Sequence, residues 1–278
     1  MNMKLKGTLG KCLKCKRSFD KVSPNTEHII PDGLQGPYLA TNVLCSDCNE
    51  NLGSKLDRQF VKSFKSLSNV YSSKNKIVRF LYDDIYFTGS FFNGKLQLDK
   101  DIKIADNRLK NVSKAQKNSI VSKFKKAIKK DGVLKIPMNF DNEILMFEIA
   151  KIQAEYLVAT NKVQKEEDIN IALMILRQLD ITSDEAFEKS LKRTSGVMDL
   201  FSKIVLPQIQ KGYRPKSFKE QQGVNAIQLV PLNSVYFNTK VNFVFIDILG
   251  KLRILTPVLS SANILYLLGR ENAMKILN

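Results

Sequence analysis

The chain has 278 residues, with 44 Lys and Arg against 27 Asp and Glu, one histidine and four cysteines, for a formal charge of +17. At 44% hydrophobic and 26% charged it lies in the globular range, with room for one large domain or two ordinary ones, which excludes disorder as its main state. Residues 1–16 lack the apolar core of a signal peptide, and no apolar stretch reaches the roughly 18 residues of a membrane span, so a cytoplasmic protein with no membrane partner is expected.

All four cysteines fall within the first 48 residues, as Cys12-x-x-Cys15 and Cys45-x-x-Cys48, with 29 residues between the pairs. Without secretion signals this spacing reads as metal chemistry before it reads as a disulfide framework. Two such turns aim four thiolates at one point, the tetrahedral sulfur cage that Zn²⁺ prefers; the alternative is four unrelated buried thiols. Four protein ligands leave no open position for water or substrate. The zinc is therefore expected to be structural, and any chemistry must use the groups it holds in place.

Between the pairs runs Thr26-Glu27-His28-Ile29-Ile30-Pro31, then Gly33 and Gly36, then Thr41-Asn42-Val43-Leu44; after Cys48 comes Asn49-Glu50-Asn51-Leu52-Gly53-Ser54-Lys55-Leu56-Asp57. Ile29, Ile30 and Pro31 read as a strand ending, and the two glycines as the means by which the chain turns back to the second pair. A helix is expected from Asn49 to about Lys62, with Leu52, Leu56, Phe60 and Phe64 as its core face. Its start would offer free amides to a phosphate. A lone histidine is more often a packed or surface residue than a catalyst, and Asp57 is read either as a metal ligand or as an exposed or capping carboxylate.

Taken together, C-x2-C, EHIIP, a Gly-containing loop, N-V-L-C-x2-C-N and L-G-S-K-L-D resemble the HNH nuclease superfamily, in the branch where a four-cysteine zinc site staples the ββα-metal fold. The resemblance spans roughly residues 12 to 60 and implies that His28, Asn42 and Asn49 are the three residues of the name. Glu27 stands where many members carry Asp, and Gly53 where some carry a second metal-binding histidine. The resemblance implies a catalytic Mg²⁺ or Mn²⁺ held by the oxygens of Glu27 and Asn49, with Asn51 as a weaker substitute for Asn49. Neutral His28 would take a proton from water, a task its unperturbed pKa near 6.5 suits. Its second ring nitrogen would be held by a backbone carbonyl of residues 32–41, a loop braced by Asn42. The products would carry 5′-phosphate and 3′-hydroxyl ends. One geometric condition follows from the pleat: Glu27 and His28 point to opposite faces of a regular strand, so both can serve one site only where the strand twists or ends.

Further along, residues 76–104 alternate apolar and polar around Asp83-Asp84 and Asn93-Gly94, predicting two or three antiparallel strands. Ser113 reads as a helix N-cap, with Ile120, Val121, Phe124, Ala127 and Ile128 on the core face and Gly132 past the end. The opposite face carries Lys117, Lys123, Lys125, Lys126, Lys129 and Lys130, a solvated surface or a grip on nucleic acid. Residues 142–161 are apolar almost all round, predicting a buried helix. More helices are expected at about 165–179, 183–193, 196–211 and 261–277, with strands over 225–256 and a turn near Leu249-Gly250-Lys251. Tyr213, Arg214, Lys216, Phe218 and Lys219 form a small basic and aromatic cluster, read as a DNA contact or as a loop packing its rings on the core.

These features predict an α+β protein in two parts: a zinc-stapled ββα-metal nuclease module over 1–70, and a larger mixed α+β domain over 71–278 that binds DNA, senses or oligomerises. The function that the resemblance implies is a metal-dependent DNA endonuclease in restriction, phage defence or a mobile element, with DNA as partner and room for a homodimer or an activating ligand or protein. The alternatives are a non-catalytic zinc-ribbon that binds nucleic acid, or a protein-interaction zinc module.

Overall fold

The structure, a computed structural model, describes residues 3–131, 133–138, 141–162, 170–192, 225–234, 239–249 and 252–258. It is a mixed α and β chain, as expected, and its contacts divide it into two compact units: residues 1–62 with 140–278, and residues 63–139. This division differs from a cut at residue 70, because the chain leaves the first unit inside a helix and returns to it 77 residues later.

In the first unit, strands β1 (Met3–Lys6), β2 (Pro24–His28) and β3 (Tyr38–Cys45) form a sheet in the order β1-β3-β2, with β1 parallel and β2 antiparallel to β3. The pairing of β2 with β3 slips. Thr26 faces Thr41 but Pro24 faces Cys45, so β3 has three residues where β2 has only Asn25. That bulge begins at Asn42, whose φ of 58° lies in the left-handed region that asparagine tolerates better than most residues.

After β3 the chain becomes helical from Ser46 to Val70, in three pieces: α1 (Ser46–Leu52), a π-helical turn (Gly53–Asp57) and α2 (Arg58–Val70). Leu52, Leu56, Phe60 and Phe64 are all at most 1% exposed. Residues spaced by four drift by about 40° per step around a 3.6-residue helix, so a stripe of four such positions would wind off one face. The wider π turn takes up part of that drift and keeps the stripe buried.

Helix α4 (Asn142–Ala159) is capped by Asp141, which accepts from the Ile144 amide at 3.1 Å, and is buried along nearly its whole length. It packs on β1, β3 and the π turn, with Tyr38 and Tyr156 edge to face at 6.1 Å. Helix α5 (Asn170–Gln178) packs on α4, and α6 (Asp184–Leu191) starts at the Ser183 cap. Strands β8 (Ala226–Ser234), β9 (Thr239–Ile248) and β10 (Leu252–Pro257) make an antiparallel sheet in the order β10-β9-β8, tied to α4 by the Thr256 hydroxyl donating to Gln153 at 2.8 Å.

The second unit is a meander. Strands β4 (Lys76–Tyr82), β5 (Ile85–Phe92) and β6 (Lys95–Leu96) pair in order, and β7 (Lys103–Ile104) joins β5. Both predicted turns are present: Asp83-Asp84 and Asn93-Gly94 have positive φ at both central residues, the geometry that matches hairpin twist. Helix α3 (Lys114–Asp131) begins with a capping box, in which the Gln116 amide donates to Ser113 Oγ and the Ser113 amide to the Gln116 side chain. Its Phe124 enters a core with Val78, Phe80, Phe87 and Phe91, while Ile120, Val121 and Ile128 pack at the edge. Ala127 is exposed rather than part of that face, since it lies just past the edge of the buried stripe.

The expected helices over 196–211 and 261–277, the end mark Gly132, the Gly250-Lys251 part of the last turn and the cluster from Tyr213 to Lys219 fall outside the described residues.

Candidate functional site

The first cysteine pair sits on a loop that leans on β3: the Leu13 amide donates to the Val43 carbonyl at 3.0 Å and the Lys16 amide to Cys12 at 2.9 Å. The second pair spans the junction of β3 and α1. The four sulfurs lie within 4.8 Å of one another, and Cys15 and Cys45 are 3.8 Å apart. Zinc–sulfur bonds of about 2.3 Å in a tetrahedron place sulfurs about 3.8 Å apart, so the cluster fits a structural Zn²⁺. Cys12 is held down to about 4, chiefly by its hydrogen bond with Cys48, and the same bond pushes Cys48 up. Arg17 faces the cluster from outside, donating to Cys15 at 3.4 Å and to Asp47 at 2.9 Å. From inside, Arg177 at the end of α5 donates to the Leu13 carbonyl at 2.9 Å, and Lys14 donates to the carbonyls of Arg177 and Leu179. The zinc loop is thus clamped by residues far outside its own segment.

His28 closes β2 and is half-buried, with Nε2 3.5 Å from the exposed carboxylate of Asp32. The residue facing that nitrogen is a carboxylate four positions on, which sequence reasoning missed. The loop that follows turns at Gln35, whose φ is 62°, and neither Gly33 nor Gly36 has positive φ. The glycines are needed for space instead. A Cβ on Gly36 would lie 1.9 Å from the Ile30 carbonyl oxygen, and one on Gly33 would lie 2.7 Å from Val61 of α2. Asn225 donates to the Leu34 carbonyl and so fastens the same loop to the sheet of β8 to β10. Asn42 makes no side-chain hydrogen bond to this loop among the described residues; its place is the left-handed residue of the bulge.

β2 ends at His28, and its neighbour Glu27 is buried in the interior. It is 6% exposed, and neither carboxylate oxygen has a hydrogen-bond partner among the described residues. Burial lifts its pKa to about 8 against the attraction of Lys151, and Asp57 and Cys12 add to the rise. Two orphaned hard oxygens are a donor set that Mg²⁺ or Mn²⁺ would satisfy, which is the fit expected of a metal ligand. Asn49 lies half-buried in the first turns of α1, which packs on β2. One turn on, a Cβ at Gly53 would meet nothing within 4 Å, so that position opens on free space. Asn51 donates to the Asp47 carbonyl at 2.8 Å and is occupied within its own helix. Asp57 is neither exposed nor a cap, since it pairs with Lys151 at 3.0 Å.

On α3, Lys123, Lys126, Lys129 and Lys130 are exposed and Lys117 and Lys125 half-buried, with Lys117 donating to the Lys110 carbonyl at 3.0 Å. Lys125, Lys126 and Lys129 border an open hollow of about 410 Å³ that Asp101 also lines. The unit over 63–139 holds 17 Lys and Arg against six Asp, a net +11 of the chain's +17.

Two antiparallel strands, a helix and a histidine at the end of the first strand form a ββα module with four sulfurs gathered at its base. Residues 12–65 match the family model of the HNH endonucleases. No curated protein and no solved structure matches the chain. Among the described residues no helix is long and apolar enough to cross a membrane.

Proposed function

We propose that the chain is a metal-dependent DNA endonuclease whose cutting site lies between the end of β2 and the start of α1. The observation that carries this reading is the placement of His28: a four-sulfur cluster anchors β3 and α1 around a half-buried imidazole, within a segment that matches the HNH endonucleases. The His28 ring takes the proton of a water whose oxygen attacks the scissile phosphorus, and the bond to the 3′ oxygen breaks, leaving 5′-phosphate and 3′-hydroxyl ends. Glu27 and Asn49 would hold a divalent cation, which when bound stabilises charge on the phosphate and on the leaving oxygen. Asp32 sits where it can orient the imidazole. The +11 unit supplies sequence-independent attraction for the phosphate backbone, with the exposed lysines of α3 as its densest strip.

The test is incubation of the zinc-loaded protein with plasmid, linear and single-stranded DNA and Mg²⁺ or Mn²⁺, with the ends mapped, beside His28→Ala. The variant should keep zinc, fold and DNA binding while cutting slows by about 10²–10⁴-fold, the range for a lost general base. Cutting at the normal rate by His28→Ala sinks the mechanism. The burial of Glu27 favours a second reading, a zinc-bearing DNA-binding protein without activity; it predicts DNA binding and no cuts under any metal.

A further inference from the structure

Of the four sulfurs, three are shut in by the fold: Cys12, Cys45 and Cys48 are at most 5% exposed. Cys15 is the half-buried member, so solvent reaches the cluster at this corner. The side chain that stands there is Arg17. Its Nε donates to Cys15 Sγ at 3.4 Å, while its Nη2 lies 4.0 Å from Cys45 Sγ and donates to Asp47 at 2.9 Å. One guanidinium therefore spans the edge between Cys15 and Cys45, whose sulfurs are 3.8 Å apart.

The backbone sets this placement. The Cys12 amide donates to the Arg17 carbonyl at 2.9 Å and the Lys16 amide returns to the Cys12 carbonyl, with Lys16 at a φ of 63°, so the first knuckle closes on itself and delivers Arg17 beside the sulfurs. Arg17 follows Cys15 by two residues and Asp47 follows Cys45 by two, so their ion pair joins the two knuckles across the same edge that a bound metal would bridge. The two side chains are 49% and 69% exposed, and such a pair ordinarily contributes little to folding. Its chemistry suits the metal better. Four thiolates around one Zn²⁺ carry a local charge of about −2, which an adjacent guanidinium offsets, and its planar fork of donors can serve a sulfur and a carboxylate at once.

We propose that Arg17 is a positioning residue of the zinc site: held by Asp47, its guanidinium brackets Cys15 and Cys45 at metal-binding distance and offsets the charge of the thiolates. The inference rests on the reading of the four sulfurs as a zinc site and does not depend on DNA cutting.

The experiment measures the Zn²⁺ affinity of the full-length protein by competition with a chromophoric chelator, for wild type, Arg17→Gln, Arg17→Lys and Asp47→Asn. Arg17→Gln should bind zinc about 10–100-fold more weakly, the range for a lost outer partner of a metal ligand. Arg17→Lys restores the charge without the fork and should fall between the two. Asp47→Asn separates the bracket from the field. The site gains negative charge as the thiols give up their protons to zinc, so by Coulomb's law alone removal of a neighbouring anion should tighten binding. The bracket predicts the opposite sign, a weakening of up to about fivefold, the worth of an exposed ion pair. A spectroscopic signature follows from the N–H···S bond itself. In the Co²⁺-loaded protein its loss raises the energy of the sulfur electrons, so the thiolate-to-cobalt charge-transfer band of Arg17→Gln should move to longer wavelength. Zinc bound by Arg17→Gln as tightly as by wild type, an unmoved band, or equal or tighter zinc in Asp47→Asn each overturns the proposal. A wild type that binds no zinc overturns it together with the four-sulfur reading. Should Arg17→Gln fail to fold, Arg17→Lys and Asp47→Asn decide by the same measurements.

Discussion

Phe124→Ala separates the packing of the 63–139 unit from its charge. The Phe124 ring is 3% exposed, stacked on Phe87 at 4.6 Å between centroids, edge-on to Tyr82 at 5.1 Å and tilted against Phe80 at 5.6 Å. Truncation of such a ring costs about 3–5 kcal/mol, and three ring pairs place it in the upper half of that range. A unit of 77 residues has a stability of about 4–12 kcal/mol, so the loss is between a third and the whole of it. Amide hydrogen exchange in β4, β5 and α3 should accelerate by about 10³-fold, since each 1.4 kcal/mol is a factor of ten. No lysine is touched, yet the strip on α3 loses its platform. The slope of log affinity against log salt for duplex DNA should become shallower by about 3.6 if Lys123, Lys126, Lys129 and Lys130 of α3 each meet a phosphate. Exchange rates within tenfold of wild type would refute the reasoning about the core, and an unchanged salt slope in an unfolded unit would refute the grip.

Cys45→Ser, or chelation of the wild type, should remove zinc and the native circular dichroism of the 12–65 segment together, because structural zinc contributes folding free energy directly; zinc retained at one ion per chain would contradict the four-sulfur site. Gly36→Ala should lower the melting temperature sharply, as its Cβ would overlap the Ile30 carbonyl oxygen at 1.9 Å, whereas Gly53→Ala, with open space around it, should stay within about 1 kcal/mol of wild type in urea unfolding. Asn42→Gly should be better tolerated than Asn42→Ala by about 1–2 kcal/mol, the penalty for a left-handed alanine, and equal melting of the two would place the role of Asn42 in its side chain. Burial lifts Glu148 and Glu155 well above their ordinary 4.5, with Lys151 opposing the rise and Asp57 and Glu27 adding to it. Groups that hold their protons more tightly when folded lose stability as pH rises, so urea-unfolding free energy should decline from about pH 5 upward, and Glu148→Gln with Glu155→Gln should flatten that decline.

The local signals in the sequence were strong where one segment determines its own structure. The paired cysteines, the hairpin turns at Asp83-Asp84 and Asn93-Gly94, the Ser113 cap and the stripe from Leu52 to Phe64 depend on neighbours in the chain, and each is found where its pattern places it. What needed three dimensions was the environment of individual side chains. The glycines of the β2–β3 loop looked like turn formers and are gaps for a carbonyl and a valine. The apolar segment over 142–161 does form a buried helix, but the partners of its three buried charges lie elsewhere in the chain, Asp57 among them. A Glu-x-x-Lys-x-x-x-Glu strip on an otherwise apolar helix is the signal that could have found them.

The return of residues 140–278 to the first unit also sets an order of events in synthesis. The segment that carries the four cysteines and His28 leaves the ribosome roughly 100 residues before the end of α4 does, and at about 5–20 residues per second that is a delay of about 5–20 s. During that interval the inner wall of the module, with Leu52, Leu56 and Glu27, has no α4 to cover it. A nascent chain can therefore bring its four cysteines together early, but it assembles the complete first unit only after the +11 segment has been made.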